Sequence, residues 1–558
     1  MKNKLAASLF LILSVFLSGC QNTAQDPQDS AQEKTSVAEE IEVVSVDPAL
    51  QEAYDKADIL KAEILNSESK IQKSDSFIPG ETYTGTAYYI SNNGSDSNDG
   101  LSPDTAFATL TPLEHVNLAY GDAVFFERGS VWRAIELPAP LARLSGITYS
   151  AYGEGEKPKI YGSEENGAGS EKWTLYHSDD SGKKIWVYYR DMSEVGAIAL
   201  NGEIPVRRDI AYWDHGTYFV MDKDEHYSLS SLTYSVNEHL PDMYCFPELI
   251  YPEIENSQWN DDIFVLRNWA QGTSERPVGK LYFRCDEGNP GELYESIEFL
   301  QPYSFASYMS GKDTVLDNLC ISYSCMTTGT GDTGWVIQNC EFGWNGGGVC
   351  NYKSVLESEY SDAALGLNFG NFGRRGGAVS LNNPNSTAWG NYVHHAFQEG
   401  LSVEIFEGDA GAADILISGN LLEKCNQPLI ICNWDTEIDP NHNFKNLIVE
   451  NNIVLDTAVD SLYNAEWELP YCAAFAIQGG PNPHDGTVYV RNNIFAMSEG
   501  TLIIMPQINE YMKVFENNTY IQSEEGIGIT VNWETRYSLE DNVARLMGDE
   551  SANIVLVK

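Results

Sequence analysis

Apolar and polar residues alternate through the C-terminal half of this chain in a six-position phrase that returns at irregular intervals: 337–342, 388–393, 417–422, 449–454, 490–495 and 515–520. The fourth place is Cys340, then Asn391, Asn420, Asn452, Asn493 and Asn518, with steps of 51, 29, 32, 41 and 25 residues. After a short turn a second apolar run follows most phrases, at 400–406, 428–434, 475–478, 501–505 and 526–530. Two short strands per repeat, with period-2 alternation and no helical spacing between them, describe the coils of a parallel solenoid. The expected fold class is therefore all-β, a right-handed parallel β-helix with three strands per coil. An Asn at the same turn of each coil can stack its amide on the next and satisfy backbone groups that the bend leaves open.

Strand alternation then predicts where chemistry faces outward. Leu401, Val403 and Ile405 point in, so Ser402, Glu404 and Phe406 point out, and aligning the coils puts Asn382, Glu404, Cys432, Gln478, Met505 and Thr530 in one outward column. Glu404 is the only carboxylate in that column. Glu399 and the pair His394 and His395 sit in the turn before this strand, and Trp434, Asp435 and Glu437 follow the next one. Strands lie about 4.8 Å apart, so Glu404 and Asp435 have a spacing open to the roughly 5–5.5 Å of a retaining glycosidase or the roughly 6.5–9.5 Å of an inverting one. Glu404 is the expected acid, because Phe406 and Trp434 would shield it from water, while Asp435 is the expected nucleophile or base and Glu399 the reserve. Trp434, Trp344, His394, His395, Arg375, Asn382 and Gln478 are the candidate sugar contacts around this column.

The N-terminus reads differently. Lys2 and Lys4 precede an apolar run from Leu5 to Leu17, too short to span a bilayer. The tetrad Leu17 to Cys20 resembles a bacterial lipobox, and that resemblance implies a lipid on Cys20 and a protein held on the outer face of the cell membrane. Residues 21–80 are polar and acidic, which predicts a tether, with a short amphipathic helix marked by Leu50, Tyr54, Ala57, Leu60 and Ile64. Lys+Arg of 34 against Asp+Glu of 81 gives a formal charge of −47, which argues against nucleic acid and favours a neutral polymer as partner. Of ten cysteines, those at 320, 340, 425, 432 and 472 lie in or beside apolar strands, where a thiol acts as a small hydrophobe.

The body opens with Ala87–Pro103, Phe107–Leu110 and Gly121–Phe126. This opening resembles the first coil and cap of the extracellular pectate-lyase-like β-helix proteins, a superfamily of lyases, hydrolases, epimerases and adhesins. The likeness covers 87–160 and 300–540. Asp96, Asn98 and Asp99 in the opening loop are candidate ligands for a structural calcium ion, with Asx turns as the alternative; no other cofactor is expected. Residues 160–300 interrupt the repeat and are rich in Trp and Tyr. They are similar to the β-sandwich-like insertion of several β-helix glycoside hydrolases, which implies a wall beside the cleft, with Trp213, Arg207, Arg208, Tyr212 and His215 as cleft-facing candidates.

The domain reading is thus 1–20 signal peptide, 21–80 tether, 81–159 cap and first coils, 160–300 insert and 301–558 main helix. The expected activity is hydrolysis of a neutral or weakly charged polysaccharide. A polysaccharide lyase would need a base and cations; Arg374, Arg375, Lys424 and Lys445 lie near the column without the Arg-x-x-x-Lys pattern of pectate lyases. A non-catalytic adhesin or glycan-binding lipoprotein is the third reading.

Overall fold

The computed structural model describes residues 46–558, except 179–181, 183, 194, 208–212, 215, 216, 219–242, 248–277, 308, 326, 330, 352–371, 406–411, 434–443, 460–471, 480–486, 506–511, 533 and 541. Three long sheets run the length of the body, two of ten strands and one of eight, and all but the last strand of the third sheet pair in parallel. One coil shows the plan. Thr387–Trp389 belongs to the first sheet, Tyr392–His394 to the second and Glu399–Ile405 to the third. The chain is a right-handed parallel β-helix of three strands per coil. Alternate residues of all three sheets, such as Ile337, Phe342, Ala388, Val393, Leu401 and Val403, meet in one continuous core.

The turn from the first sheet to the second is built the same way on successive coils. Its first residue has left-handed backbone: Asn339 at φ 51°, Gly390 at 62°, Gly419 at 64°, Asn451 at 57°, Asn492 at 56° and Asn517 at 56°. Gly and Asn are the residues that take this conformation at least cost. The second residue is the buried ladder Asn, except after Asn339, where it is Cys340. Asn452 accepts from the Asn420 N–H (3.0 Å) and Nδ2 (2.9 Å), and its own Nδ2 donates to the Ile417 carbonyl (3.0 Å) and Asn493 Oδ1 (3.0 Å). Asn391, Asn420 and Asn493 repeat the pattern. Buried Asp549 closes the stack by accepting from Asn518 Nδ2 at 2.9 Å.

Residues 46–80 are not a free spacer. Helix α1 (Pro48–Asn66) starts where the Asp47 carboxylate accepts from the Ala49 N–H, and Leu50, Ala53, Ala57 and Ile64 bury its apolar stripe. That stripe lies on the outer face of the second sheet, against Tyr392, Leu421, Leu455, Ala496 and Ile521. The carbonyl of its C-cap residue, Ser67, is met by a cation, as a helix dipole favours. Arg128 donates to the Ser67 carbonyl (2.9 Å) and Lys157 to the Ser67 hydroxyl (2.9 Å) and Asn318 Oδ1 (2.9 Å). The strand signal on this sheet is a pair of apolar faces rather than one, which is why the helix has somewhere to dock.

Within 160–300 the described strands form an antiparallel sheet ordered Met243–Pro247, Val278–Cys285, Lys184–Ser193, Trp173–Ser178, and a second one of Ile204–Arg207, Ala197–Leu200 and Ile297–Phe299. Trp173, Tyr188, Phe283 and Phe299 make its own core. The insert is tied to the β-helix by a two-pronged Arg133–Glu298 pair (2.7 and 2.8 Å) and by Ala197, Ala199 and Leu300 packed on Trp344 and Phe397. Among the described residues no helix is long and apolar enough to cross a membrane.

Candidate active site

From residue 315 onward every turn between the first and second sheets has two residues, while the long connections leave from an edge of the third sheet. Toward the first sheet these are 406–415 and 434–446, after Glu399–Ile405 and Gln427–Asn433. On the other edge, 344–378 and 458–472 lead from the second sheet into the third, and the insert enters after Lys159–Tyr161 on that same side. The sheet at which these long connections begin and end is the candidate place for a site.

On that sheet Glu404 pairs with Cys432, and Cys432 with Gln478. Ser380 pairs with Ser402, which brings Asn382 level with Glu404, and Asn382 Oδ1 accepts from the Glu404 N–H at 2.9 Å. Ser380 also donates to Asn382 Oδ1 at 2.8 Å, so the amide is held at the strand end. The outward neighbours Ser402, Ile430, Ala476 and Ile504 are buried, and Ile430, Cys432, Ala473, Ala476 and Ile504 form a small apolar cluster of their own. Glu399 and Glu404 are partly exposed at this apolar floor. Burial pushes the Cys432 thiol far up, and the charges of Glu404 and Glu399 push it further. Gln478 is 7 % exposed and its Nε2 finds no acceptor among the described residues.

The column ends at Gln478. Phe475 pairs with Ile503 and Ala476 with Ile504, so Met505 falls beside Ile477 in the core, and Thr530 pairs with Ile504. A one-residue slip in register turns a side chain to the other face. Trp344 is no sugar platform either: it is 1 % exposed, its indole N–H donates to the Gly202 carbonyl (3.0 Å), and its ring stacks on His395 at 4.2 Å. Asp435 and Trp434, with Phe406, Glu437, Arg208, Tyr212, His215 and Cys20, lie outside the described residues. Arg375 lies in a hairpin pairing with Gly348, and Trp213 pairs with Tyr218, but the side chains of Arg375, Trp213 and Arg207 lie outside the described residues too.

His394 and His395 belong to a different cluster. His394 is on the second sheet, with its Nε2 3.4 Å from Glu341 Oε1 and its Nδ1 2.8 Å from His395 Nδ1. A Cβ on Gly343 would lie 2.4 Å from His394 Nε2, so only glycine leaves room for that ring. His395 is 8 % exposed at the corner between the second and third sheets. Burial, with the charges of His394, Lys424 and Lys61, holds its imidazole well below the usual range and therefore neutral. Burial would raise the Glu341 carboxyl, but the hydrogen bond and charge of His394, the Cys320 thiol and Lys159 outweigh it and lower it. Beside them Glu423 takes the Tyr392 hydroxyl (2.8 Å) and Lys61 of helix α1 (3.1 Å). Sequence reasoning missed Glu341. Its signal was a charge at the place where other coils carry Tyr392, Leu421, Ile453 and Ile494.

In the opening loop Asp96 accepts from the Ala108 and Thr109 N–H groups (2.9 and 2.8 Å) and the Thr109 hydroxyl (2.7 Å). Asp99 accepts from the Thr105 hydroxyl (2.6 Å) and the Leu101 N–H (3.1 Å), contacts that lower its pKa. These carboxylates are spent on capping the loop. Among the described residues no group of three or more His, Cys, Asp or Glu is placed to hold a metal ion. The cysteines at 285, 320, 325, 340, 425, 432 and 472 are buried and in no disulfide.

No family model matches the chain. No curated protein matches it. Among solved structures it is similar to a GH136 lacto-N-biosidase from Eubacterium ramulus (12% identity over 85% of this chain and 68% of that one, TM-score 0.31). It is also similar to a glycoside hydrolase (9% identity, 84% of this chain and 96% of that one, TM-score 0.37) and to a rhamnogalacturonan lyase (11% identity, 85% of each, TM-score 0.35).

Proposed function

We propose that this chain is a glycoside hydrolase acting on a neutral or weakly charged polysaccharide or glycan, with its carboxylates at the third sheet. The observation that carries the reading is the register of Glu404 with Cys432 beside the buried apolar cluster of the third sheet, with the Glu404 backbone held by Asn382 Oδ1. Glu404 is the acid that protonates the leaving oxygen; Asp435, one coil on, attacks the anomeric carbon or draws a proton from the attacking water; Glu399 is the alternative for either role. The apolar floor favours the protonated form of an acid, which the first step needs. The parallel strands of this sheet contain no Lys, Arg or His, which supports hydrolysis over β-elimination at a uronate. Attachment through a lipid on Cys20 to the outer face of a bacterial membrane belongs to the same proposal.

The test is to make Glu404→Gln, Asp435→Asn and Glu399→Gln singly and measure reducing ends released from a panel of neutral glycans. Loss of about 10²- to 10⁴-fold in Glu404→Gln and in one of the other two, at an unchanged melting profile, is the expected result. Wild-type rates in all three would remove the site, and a wild type that binds a glycan without cleaving it would make the protein an adhesin.

A further inference from the structure

The first sheet turns a different surface outward. Its outer rows are Val336, Thr387, Leu416, Ile448, Tyr489 and Val514, and beside them Gln338, Trp389, Ser418, Glu450, Arg491 and Glu516. The first row is apolar apart from Thr387, each member partly exposed. Trp389, in the second, is 42 % exposed. Its indole N–H donates to Gln338 Oε1 (2.9 Å), and the buried Gln338 amide is in turn fixed on the Gly80 carbonyl (2.8 Å) and Asp317 Oδ1 (3.1 Å). The N-terminal segment that crosses this sheet reaches Gln338 through Gly80, next to Trp389. An exposed indole locked by a buried network costs solvation without filling the core, and a fixed ring is what stacking on a rigid partner requires.

We infer that the outer face of the first sheet from Trp389 to Tyr489 is an accessory binding surface for a neutral polysaccharide chain, separate from the third-sheet site. The inference rests on the carbohydrate reading above. Its strands are about 4.8 Å apart, so the strands of Trp389 and Tyr489, three steps from each other, are about 14 Å apart. A shallow platform of that length suits a polymer; a single sugar would bury too little of itself. A pyranose chain offers apolar C–H faces and hydroxyl edges, and here an aromatic and aliphatic stripe borders a row of hydrogen-bonding groups. The row's central charges cancel, with Arg491 Nε 2.7 Å from Glu450 and its guanidinium over the Tyr489 ring. In a chain of formal charge −47, such a locally neutral face fits a neutral polyol better than a polyanion or an acidic membrane.

The experiment uses the full chain and insoluble cellulose, xylan and mannan particles, with Trp389→Ala and Tyr489→Ala made singly. The wild type is expected to be retained by at least one particle, insensitively to added salt. Retention should fall about tenfold or more in Trp389→Ala and less in Tyr489→Ala. Cleavage of a short soluble oligosaccharide should be unchanged. Should Trp389→Ala melt below the wild type, Tyr489→Ala alone decides. No retention on any particle, retention equal in the variants, or retention that added salt abolishes would overturn the surface. A protein that cleaves nothing yet loses particle binding with Trp389 keeps the surface and removes the hydrolase. One that cleaves oligosaccharide but binds particles regardless of Trp389 does the reverse.

Discussion

On the second sheet Glu423 meets both Lys61 and Tyr392, and Glu341 meets His394; on the third, Glu399 and Glu404 share a floor with Ile430, Cys432 and Ala476 on strands without a basic residue. Both faces belong to one solenoid. The difference lies in what each acid is given. On the second sheet helix α1 delivers a cation and covers the apolar rows, and the acids become part of the packing. On the third, the parallel strands that carry Glu399 and Glu404 contain no basic residue. An acid matched by a cation adds to stability; an acid beside buried apolar side chains has its protonated form favoured, which is what the proposed hydrolysis asks of Glu404.

Exchanging the two kinds of acid is the strongest way to break this comparison. Glu404→Gln should lower glycan cleavage by about 10²- to 10⁴-fold with the melting profile intact. Glu341→Gln should do the opposite, lowering the melting temperature while leaving cleavage within about twofold of wild type, since only its bond to His394 and the thiol is lost. If Glu341→Gln abolished cleavage at full stability, the active centre would belong on the second sheet.

The ladder marks the part of the molecule with no role but scaffold. Asn452→Ala removes four buried hydrogen bonds and leaves the Ile417 carbonyl and the Asn420 N–H without partners. A loss of roughly 3–5 kcal/mol is expected, read from denaturant unfolding, with kcat of the remaining folded protein unchanged. A loss below about 1 kcal/mol would mean that the stack is replaceable by water.

This turn was legible in the sequence because its geometry restricts residue type. Left-handed backbone selects Gly or Asn, and the stacked place selects Asn, so the pair recurs as Gly390–Asn391, Gly419–Asn420 and Asn451–Asn452. The corner between the second and third sheets has the same left-handed backbone but fills it with Tyr323, Trp344, His395, Lys424, Asp456 and Met497 at φ between 50° and 58°. No composition signals it. Trp344 and His395 therefore looked like site residues, though they are adjacent corner residues stacked on each other. Glu404, Cys432 and Gln478 were readable from alternation, and Met505 was not, because counting alternation requires knowing on which residue a strand begins. The helical spacing of α1 was visible; its docking required noticing that Ile453–Leu455 and Ile494–Ala496 are apolar on both faces.

A pH series separates the cation clamp on helix α1 from the acids. Lys157 is 3 % exposed, and burial lowers its pKa from 10.5 to about 8. Below about pH 8 both folded and unfolded chains carry the proton, and the fold bears the full cost of a buried ammonium. Between about 8 and 10.5 the unfolded chain binds a proton that the folded one has released, so stability rises with pH across that window, by an amount on the order of 3 kcal/mol. Subtracting the stability of Lys157→Met at each pH should isolate this rise. A difference that stayed flat or fell from pH 8 to 10.5 would show that Ser67 and Asn318 keep the amine charged.

The smallest effect should come from the outer end of the same helix. Tyr54 donates to Asp456 at 2.6 Å, with Asp456 held in left-handed backbone at φ 51°. The bond joins a helix residue to a corner residue, so it reports docking rather than helix formation. Tyr54→Phe keeps the ring and removes only the hydroxyl. The Asp456 carboxylate is partly exposed and can turn to water, which limits the loss to about 1 kcal/mol. Ile64→Ala, which opens a cavity under the apolar stripe, should cost about 2–4 kcal/mol. Amide exchange along Pro48–Asn66 reads both variants. If docking is carried by the apolar stripe, as the burial of Leu50, Ala53, Ala57 and Ile64 implies, protection should survive Tyr54→Phe and collapse in Ile64→Ala. The reverse order would mean that polar contacts at the corner hold the helix, and the second sheet's acids would then be the clamp for α1 rather than bystanders to its packing.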